Sequence, residues 1–245
     1  MTEKLSDSAK KAQIAENLKR VRENIGNAAV KAGRDPAEIT LLAATKTVPP
    51  ELVNHAVSLG VRAIGENRVQ EFLEKAPLLD LDSAEVHFIG HLQTNKAARL
   101  IPAVRMIQSV DSMKLAEIIA KASRAAGVVT DVLIEVNIGD EASKSGVKRG
   151  EAAELAHAAA ELEGIRLRGL MSIPPICGDE RQIRNYFSDI HKLFIDIGAK
   201  KTDNSNMNVL SMGMSGDYAE AVLEGSTMVR IGSALFGSRA QVTDE

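Results

Sequence analysis

Ile39-Thr40-Leu41-Leu42-Ala43-Ala44-Thr45-Lys46 is a short aliphatic run that ends in a single amine. A helical stretch, Pro50–Leu59, follows it, and a second short run, Arg62–Ile64, comes next. The same alternation repeats along the chain. Aliphatic runs recur at Glu85–Ile89, Met106–Val110, Asp131–Val136, Arg166–Met171, Asn208–Met212 and Met228–Leu235. Segments of helical composition lie between most of them, at Val69–Ala76, Asn95–Ile101, Ser112–Ala126, Arg149–Leu162, Glu180–Ile197 and Tyr218–Leu223. Strand-then-helix order requires a parallel sheet with right-handed crossovers. Eight such units within about 200 residues point to a sheet closed on itself, with an open doubly wound sheet as the alternative.

Upstream, Ile14, Leu18, Val21, Ile25 and Ala29 are spaced to form one apolar stripe, on a helix with Lys31 in its last turn and Gly33 as its stop. The expected architecture is an α/β fold: one (β/α)8 TIM-type barrel, about residues 39–239, with an extra N-terminal helix, about residues 6–33. No Gly/Ser-rich linker divides residues 1–245, so a single domain is expected, and Lys200–Asn206 reads as a loop before the seventh strand.

Composition narrows the function classes. The chain is 44% hydrophobic but only 3% aromatic and lacks Trp, so Val, Ile, Leu, Ala and Met must build the core, as buried parallel strands require. A formal charge of −3 gives no electrostatic case for nucleic acid. One cysteine, Cys177, excludes an internal disulfide and fits a reducing compartment. The start, Met1-Thr2-Glu3-Lys4, has no apolar leader, and no run approaches the ~18 apolar residues of a membrane span, so a cytoplasmic protein is expected. His55, His87, His91, His157 and His191 show no H-E-x-x-H pattern, so no metal site is expected; neither a Walker loop nor a G-x-S-x-G elbow is present.

In a barrel of this kind the site is built where the strands end. Those ends read Lys46, Gly65-Glu66-Asn67, Gly90-His91, Asp111, Asn137, Ser172, Gly213 to Ser215 and Arg230 to Ser233, a polar rim above apolar strand bodies. A lysine leaving an apolar strand is partly desolvated, which lowers its pKa and favours Schiff-base chemistry. Taken singly, such a lysine is more often a strand-end residue with its charge in water. The stretches Ser211-Met212-Gly213-Met214-Ser215-Gly216-Asp217 and Arg230-Ile231-Gly232-Ser233 give Lys46 more significance. Their small residues let backbone N–H groups approach an anion, and the loops after the last two strands are the usual phosphate site of this architecture.

Several motifs in order then carry a resemblance. They are Ala44-Thr45-Lys46, Ile64-Gly65-Glu66-Asn67-Arg68-Val69-Gln70-Glu71, His87 through Lys96, Ser143-Lys144-Ser145-Gly146, Arg168-Gly169-Leu170-Met171, Leu210 through Ser215, and Gly225 through Gly232. Running from about Ile14 to Gly237, the chain resembles the pyridoxal phosphate homeostasis proteins, single-domain relatives of the alanine racemase barrel. The resemblance implies pyridoxal 5′-phosphate as cofactor, with Lys46 carrying it as a Schiff base. It implies that Ser215, Gly232 and Ser233 bind the phosphate with Ser211 and Met214 alongside, and that Arg230 faces the pyridine nitrogen. Asn67 and His91 fall in motifs lining the pocket; some relatives carry Pro in place of His91 and Tyr in place of Arg68.

Arg230 decides between binding and turnover. Pyridoxal phosphate stabilises carbanions best with a protonated ring nitrogen, and an arginine donates to that nitrogen without protonating it. Racemisation also needs two proton-transfer groups on opposite faces of the substrate. Lys46 serves one face, whereas the racemase draws the other base from an added C-terminal domain and its dimer partner. The sequence runs out near Phe236-Gly237-Ser238-Arg239, leaving Tyr186 and Tyr218 as the only tyrosines. The expectation is a monomeric, non-catalytic cofactor carrier in vitamin B6 homeostasis, passing its aldehyde to apo-forms of pyridoxal phosphate enzymes. A weak racemase or lyase is the alternative, and a partner-mediated sensor of cofactor load is a third reading.

Overall fold

The computed structural model describes residues 6–141, 144–200 and 202–237. Ser143 of the Ser-Lys-Ser-Gly motif, Met1 through Lys4, and Ser238 and Arg239 lie outside the described residues. The strands are β1 (Thr40–Ala44), β2 (Ala63–Glu66), β3 (Glu85–Phe88), β4 (Met106–Val110), β5 (Thr130–Asn137), β6 (Val147–Lys148), β7 (Ile165–Ser172), β8 (Ser205–Met214) and β9 (Met228–Ile231). The helices are α1 (Asp7–Lys31), α2 (Pro50–Ser58), α3 (Val69–Lys75), α4 (Ala97–Leu100), α5 (Met113–Ala125), α6 (Ala152–Ala160), α7 (Glu180–Ala199), α8 (Tyr218–Leu223) and α9 (Ser233–Phe236).

Among the described residues, eight strands close into an all-parallel TIM-type barrel in the order β1-β2-β3-β4-β5-β7-β8-β9, with β9 returning to β1. Leu42 of β1 registers against both Ala63 of β2 and Arg230 of β9, which is closure at a single residue. The short β6 was not expected; it pairs with Val136 and Asn137 outside the ring. The eighth expected strand is cut short. It ends at Ile231, and Ser233–Phe236 forms one helical turn because the chain bends at Gly232 (φ −109°, ψ −84°). The seventh is longer than expected, beginning at Ser205 within the stretch read as a loop and running to Met214.

Helix α1 explains how so short a last unit is tolerated. Its stripe of Ile14, Leu18, Val21, Ile25 and Ala29 is buried, and it packs on α2, α8 and α9. It therefore occupies the outer position that the four-residue α9 cannot fill. Polar ties fix it there: Asn17 Nδ2 donates to Leu235 O at 3.0 Å, Asn24 Nδ2 to the Tyr218 hydroxyl at 2.9 Å, and Arg22 to the carbonyls of Leu59 and Gly60. The main core lies between barrel and helices, while Leu42, Ala44, Ala63, Ile89 and Met228 form a smaller cluster. At the end where the strands begin, buried Asp131 meets Arg166 at 2.7 Å, Arg168 at 2.6 Å and Arg105 at 3.3 Å. No described helix is long and apolar enough to cross a membrane.

Gly213 near the end of β8 adopts φ +91°, and a Cβ there would stand 2.5 Å from the Ala221 Cβ of α8. Gly213→Ala should therefore lower stability by about 1–3 kcal/mol through backbone strain and the clash, read as a lower urea midpoint with an unchanged slope.

Candidate functional site

Lys46 lies half-buried in the turn that leaves β1. That turn is fixed from behind. The Thr45 hydroxyl donates to Glu66 Oε1 at 2.7 Å, and Lys75 Nζ of α3 donates to Thr45 O and Glu66 Oε1, both at 2.8 Å, and to Glu71 Oε1 at 3.1 Å. Glu66 is fully buried and Lys75 nearly so. The ammonium's three donors are thus matched by three acceptors, one of them the carbonyl just before Lys46. Thr47 takes a positive φ of 60°, unusual for a β-branched residue, and Glu71 accepts its N–H. Glu66, read from sequence as part of the rim, instead packs between the barrel wall and α3.

On the other flank, Ser215 Oγ accepts from the backbone N–H of Gly232 at 3.2 Å and of Ala234 at 3.1 Å. The loops after β8 and β9 are thereby tied together, with two backbone donors converging on one oxygen. Ser233 is exposed beside them. Met214 ends β8 partly exposed, and its N–H donates to Asp217 Oδ1 at 2.6 Å. Burial raises the Asp217 carboxyl above its ordinary range, opposed by that N–H and by Arg230.

Between the flanks stands Arg230, 4% exposed. Its guanidinium donates to Ser211 Oγ at 2.7 Å and to Ser172 O at 3.0 Å, and among the described residues it forms no ion pair with a carboxylate. Burial lowers its pKa to about 10, against the longer-range pull of Glu135 and Asp217, so it remains a cation at neutral pH. Ser211 Oγ in turn donates to Gln108 Oε1 at 2.6 Å, and Gln108 Nε2 lies 2.9 Å from His87 Nδ1. Ser211 is therefore inside the barrel orienting Arg230, apart from the rim loops beside which it was expected. The reason is that β8 continues past it to Met214.

Asn67, just after β2, has a buried Oδ1 with no hydrogen-bond partner. Gly90 lies against its backbone, where a Cβ would come within 2.2 Å of Asn67 O. His91 stands on the exposed lip with Nδ1 3.7 Å from Asp111 Oδ2. Sequence reasoning missed Glu135. Strand β5 is buried throughout, Glu135 is 7% exposed, and its Oε2 has no hydrogen-bond partner. Burial and the neighbouring Asp111 push this carboxyl up to about 7, against the opposing pull of Arg230. The available signal was one acid inside the aliphatic run Val132-Leu133-Ile134-Glu135-Val136, on the same strand face as Leu133 and Asn137.

The alanine racemase N-terminal domain model matches residues 11–240. The pyridoxal phosphate homeostasis protein of Aquifex aeolicus (strain VF5) is 44% identical over 225 residues, covering 91% of this chain and 97% of that protein. The chain belongs to the pyridoxal phosphate homeostasis protein family. Within the same architecture, a crystal structure from Bifidobacterium adolescentis superposes with a TM-score of 0.90 at 39% identity, covering 95% of this chain and 98% of that one. PipY of Synechococcus elongatus PCC7942, solved with PLP bound, gives a TM-score of 0.79 at 30% identity, covering 91% of this chain and 100% of PipY.

The Glu66–Lys75 pair supports the Lys46 turn, and its loss has a clear expected cost. Lys75→Met leaves the Glu66 carboxylate buried without its cation and should destabilise the protein by about 3–5 kcal/mol. Adding Glu66→Gln should recover part of that loss in a double-mutant cycle of denaturant midpoints.

Proposed function

We propose that this protein binds pyridoxal 5′-phosphate as a Schiff base on Lys46 and serves its intracellular homeostasis without dedicated catalysis. The observation that carries the reading is adjacency. β1, which leads to Lys46, β9, which bears Arg230, and β8, which leads to Ser215, are neighbouring strands, and Arg230 registers with Leu42 on one side and Met214 on the other. The donor set suits the cofactor's parts: an amine for the aldehyde, converging N–H groups of Gly232 and Ala234 with the Ser215 and Ser233 hydroxyls for the phosphate, and a buried cation for the ring nitrogen. Asn67, with an unmatched buried oxygen, and His91 border the same mouth. Ser211 holds Arg230 in place, and Met214 supplies apolar surface at the phosphate end. We also assign residues 6–237 to one folding unit, since α1 and the barrel share a core.

Bound as an imine, the cofactor's ring withdraws electrons from an attached carbon most strongly when its nitrogen carries a proton. Arg230 disfavours that state. With its pKa near 10 it keeps its own protons at neutral pH and donates a hydrogen bond in place of accepting one. Its partners, a hydroxyl and a carbonyl, leave its charge unneutralised and so add to this preference. The Tyr218 hydroxyl accepts a hydrogen bond from Asn24 of α1, and its ring packs in the core between barrel and helices. A cytoplasmic monomer that stores the aldehyde and passes it to apo-enzymes fits these residues. A weak racemase or lyase is the second reading, favoured by one observation: Glu135, held near 7, could exchange protons at neutral pH.

Borohydride reduction of the cofactor-loaded protein followed by peptide mapping should place the pyridoxyl group on Lys46, and Lys46→Ala should lose the visible absorbance. An adduct confined to Lys96 or Lys144 would overturn the assignment. Incubating loaded protein with single amino-acid enantiomers in deuterated water should give imine exchange with negligible Cα deuteration. Deuteration at a useful rate would favour the enzyme.

A further inference from the structure

We propose that Glu135 is a ligand-contacting carboxyl of this same site, protonated when the pyridine aldehyde is bound and donating a hydrogen bond to the ring's phenolic oxygen. The proposal rests on the cofactor reading above and deepens it. Glu135 of β5 registers with Met171 of β7, and Met171 with Ser211 of β8, so the three share one row on the barrel interior. Arg230 sits on that row through Ser211 Oγ and reaches the carbonyl of Ser172 beside it. On the other side, Val110 of β4 registers with Ile134, which brings the following Asp111 alongside Glu135. The carboxyl therefore faces the mouth across from Arg230, buried, with one oxygen unmatched.

The cofactor's covalent skeleton then orders its edges. The ring nitrogen lies para to the aldehyde carbon, and the phosphate arm and phenolic oxygen flank that carbon on opposite sides. With the aldehyde at Lys46, the nitrogen at Arg230 and the phosphate at the loops after β8 and β9, the phenolic edge turns towards β4 and β5. An ionised Glu135 there would set two negative oxygens against each other in a poorly solvated place. A neutral carboxyl supplies the hydrogen the phenolic oxygen accepts, and no covalent bond forms or breaks. Its charged neighbours are consistent with this state. Asp111 opposes ionisation and Arg230 favours it, with burial the largest influence. Farther out, His91 pairs with Asp111, Asp217 acts on Arg230, and Lys46 stands at the end of β1. β7 contributes the neutral Met171 and Ser172.

The sign of the pH effect follows. Free Glu135 titrates at about 7, so affinity that requires its proton is fully present below that pH and declines above it. Equilibrium dialysis of pyridoxal phosphate against the unsubstituted protein and Glu135→Gln tests this, because the ratio of their affinities cancels the titrations of the ligand and of Lys46. The advantage of the unsubstituted protein over the variant should fall about thirtyfold between about pH 6 and about pH 8.5. Parallel pH profiles would overturn the proposal. Should the variant fail to fold, infrared spectroscopy of the unsubstituted protein with isotope-labelled glutamate provides the second measurement. Loading with cofactor at about pH 8 should raise the protonated-carboxyl band, and its absence would refute the contact. If borohydride traps no adduct on Lys46 in the unsubstituted protein, the cofactor reading itself fails and takes this proposal with it; a Lys46 adduct with parallel profiles removes only the role of Glu135.

Discussion

A guanidinium buried inside a barrel and held by neutral groups is the constraint around which this fold is arranged. Removing a cation from water costs several kcal/mol, and proteins usually offset the loss with a carboxylate in contact. Here Arg230 has a hydroxyl and a carbonyl, and its carboxylate neighbours act only at longer range. The partners are themselves held: Ser211 is engaged by Gln108, Gln108 by His87, and the Ser172 hydroxyl by Val136 O. Each member of the chain is satisfied by the next, so the guanidinium is directed without being neutralised. A polar network of this kind is stable only when every member is matched.

The barrel separates this arrangement from the parts that hold it together. At the end where the strands begin, Asp131 is surrounded by Arg105, Arg166 and Arg168, a buried acid whose charge is fully answered. At the opposite end Asn67 and Glu135 each keep a buried oxygen without a partner. Unmatched buried polar atoms carry a free-energy cost, and at these two positions a ligand can relieve it. The Lys46 turn is the exception at that end, because Lys75, Glu66 and Glu71 brace it from outside the barrel wall. Bracing from the helix side leaves the inner side of the turn clear of the groups that support it.

Much of this was legible in the sequence, for reasons that can be named. Alternating aliphatic runs and helical stretches report parallel strands and crossovers, and Met106–Val110 and Tyr218–Leu223 are found with the bounds that their composition suggested. The α1 stripe was visible as well, but its purpose was not, since nothing local says that the last unit has only a one-turn helix for α1 to replace. The strand end at Ile231 was missed because Ala234-Leu235-Phe236 is as apolar as a strand and differs only by the bend at Gly232. Lys46, Arg230, Ser215 and Gly232 were legible as candidates because glycines, serines and an isolated amine at strand ends stand out against aliphatic runs. Glu135 and Gln108 were missed because each sits within a strand, where only the period-two face and the closure of the barrel turn a polar residue towards the mouth.

On the reading proposed above, a few inner-face side chains decide whether one scaffold holds a reactive aldehyde or acts through it. What distinguishes the two outcomes is the charge presented to the ring nitrogen and the presence of a proton-transfer group on the far face, and both are set by a few side chains on an unchanged frame. On that reading, the residue facing the nitrogen is Arg230, a cation whose pKa, even after burial, stays near 10. The Tyr218 hydroxyl is committed to Asn24, a residue of the very helix that completes the barrel's outer layer. The phenol that follows the Ser215 loop in sequence is thereby part of the packing between barrel and outer helices.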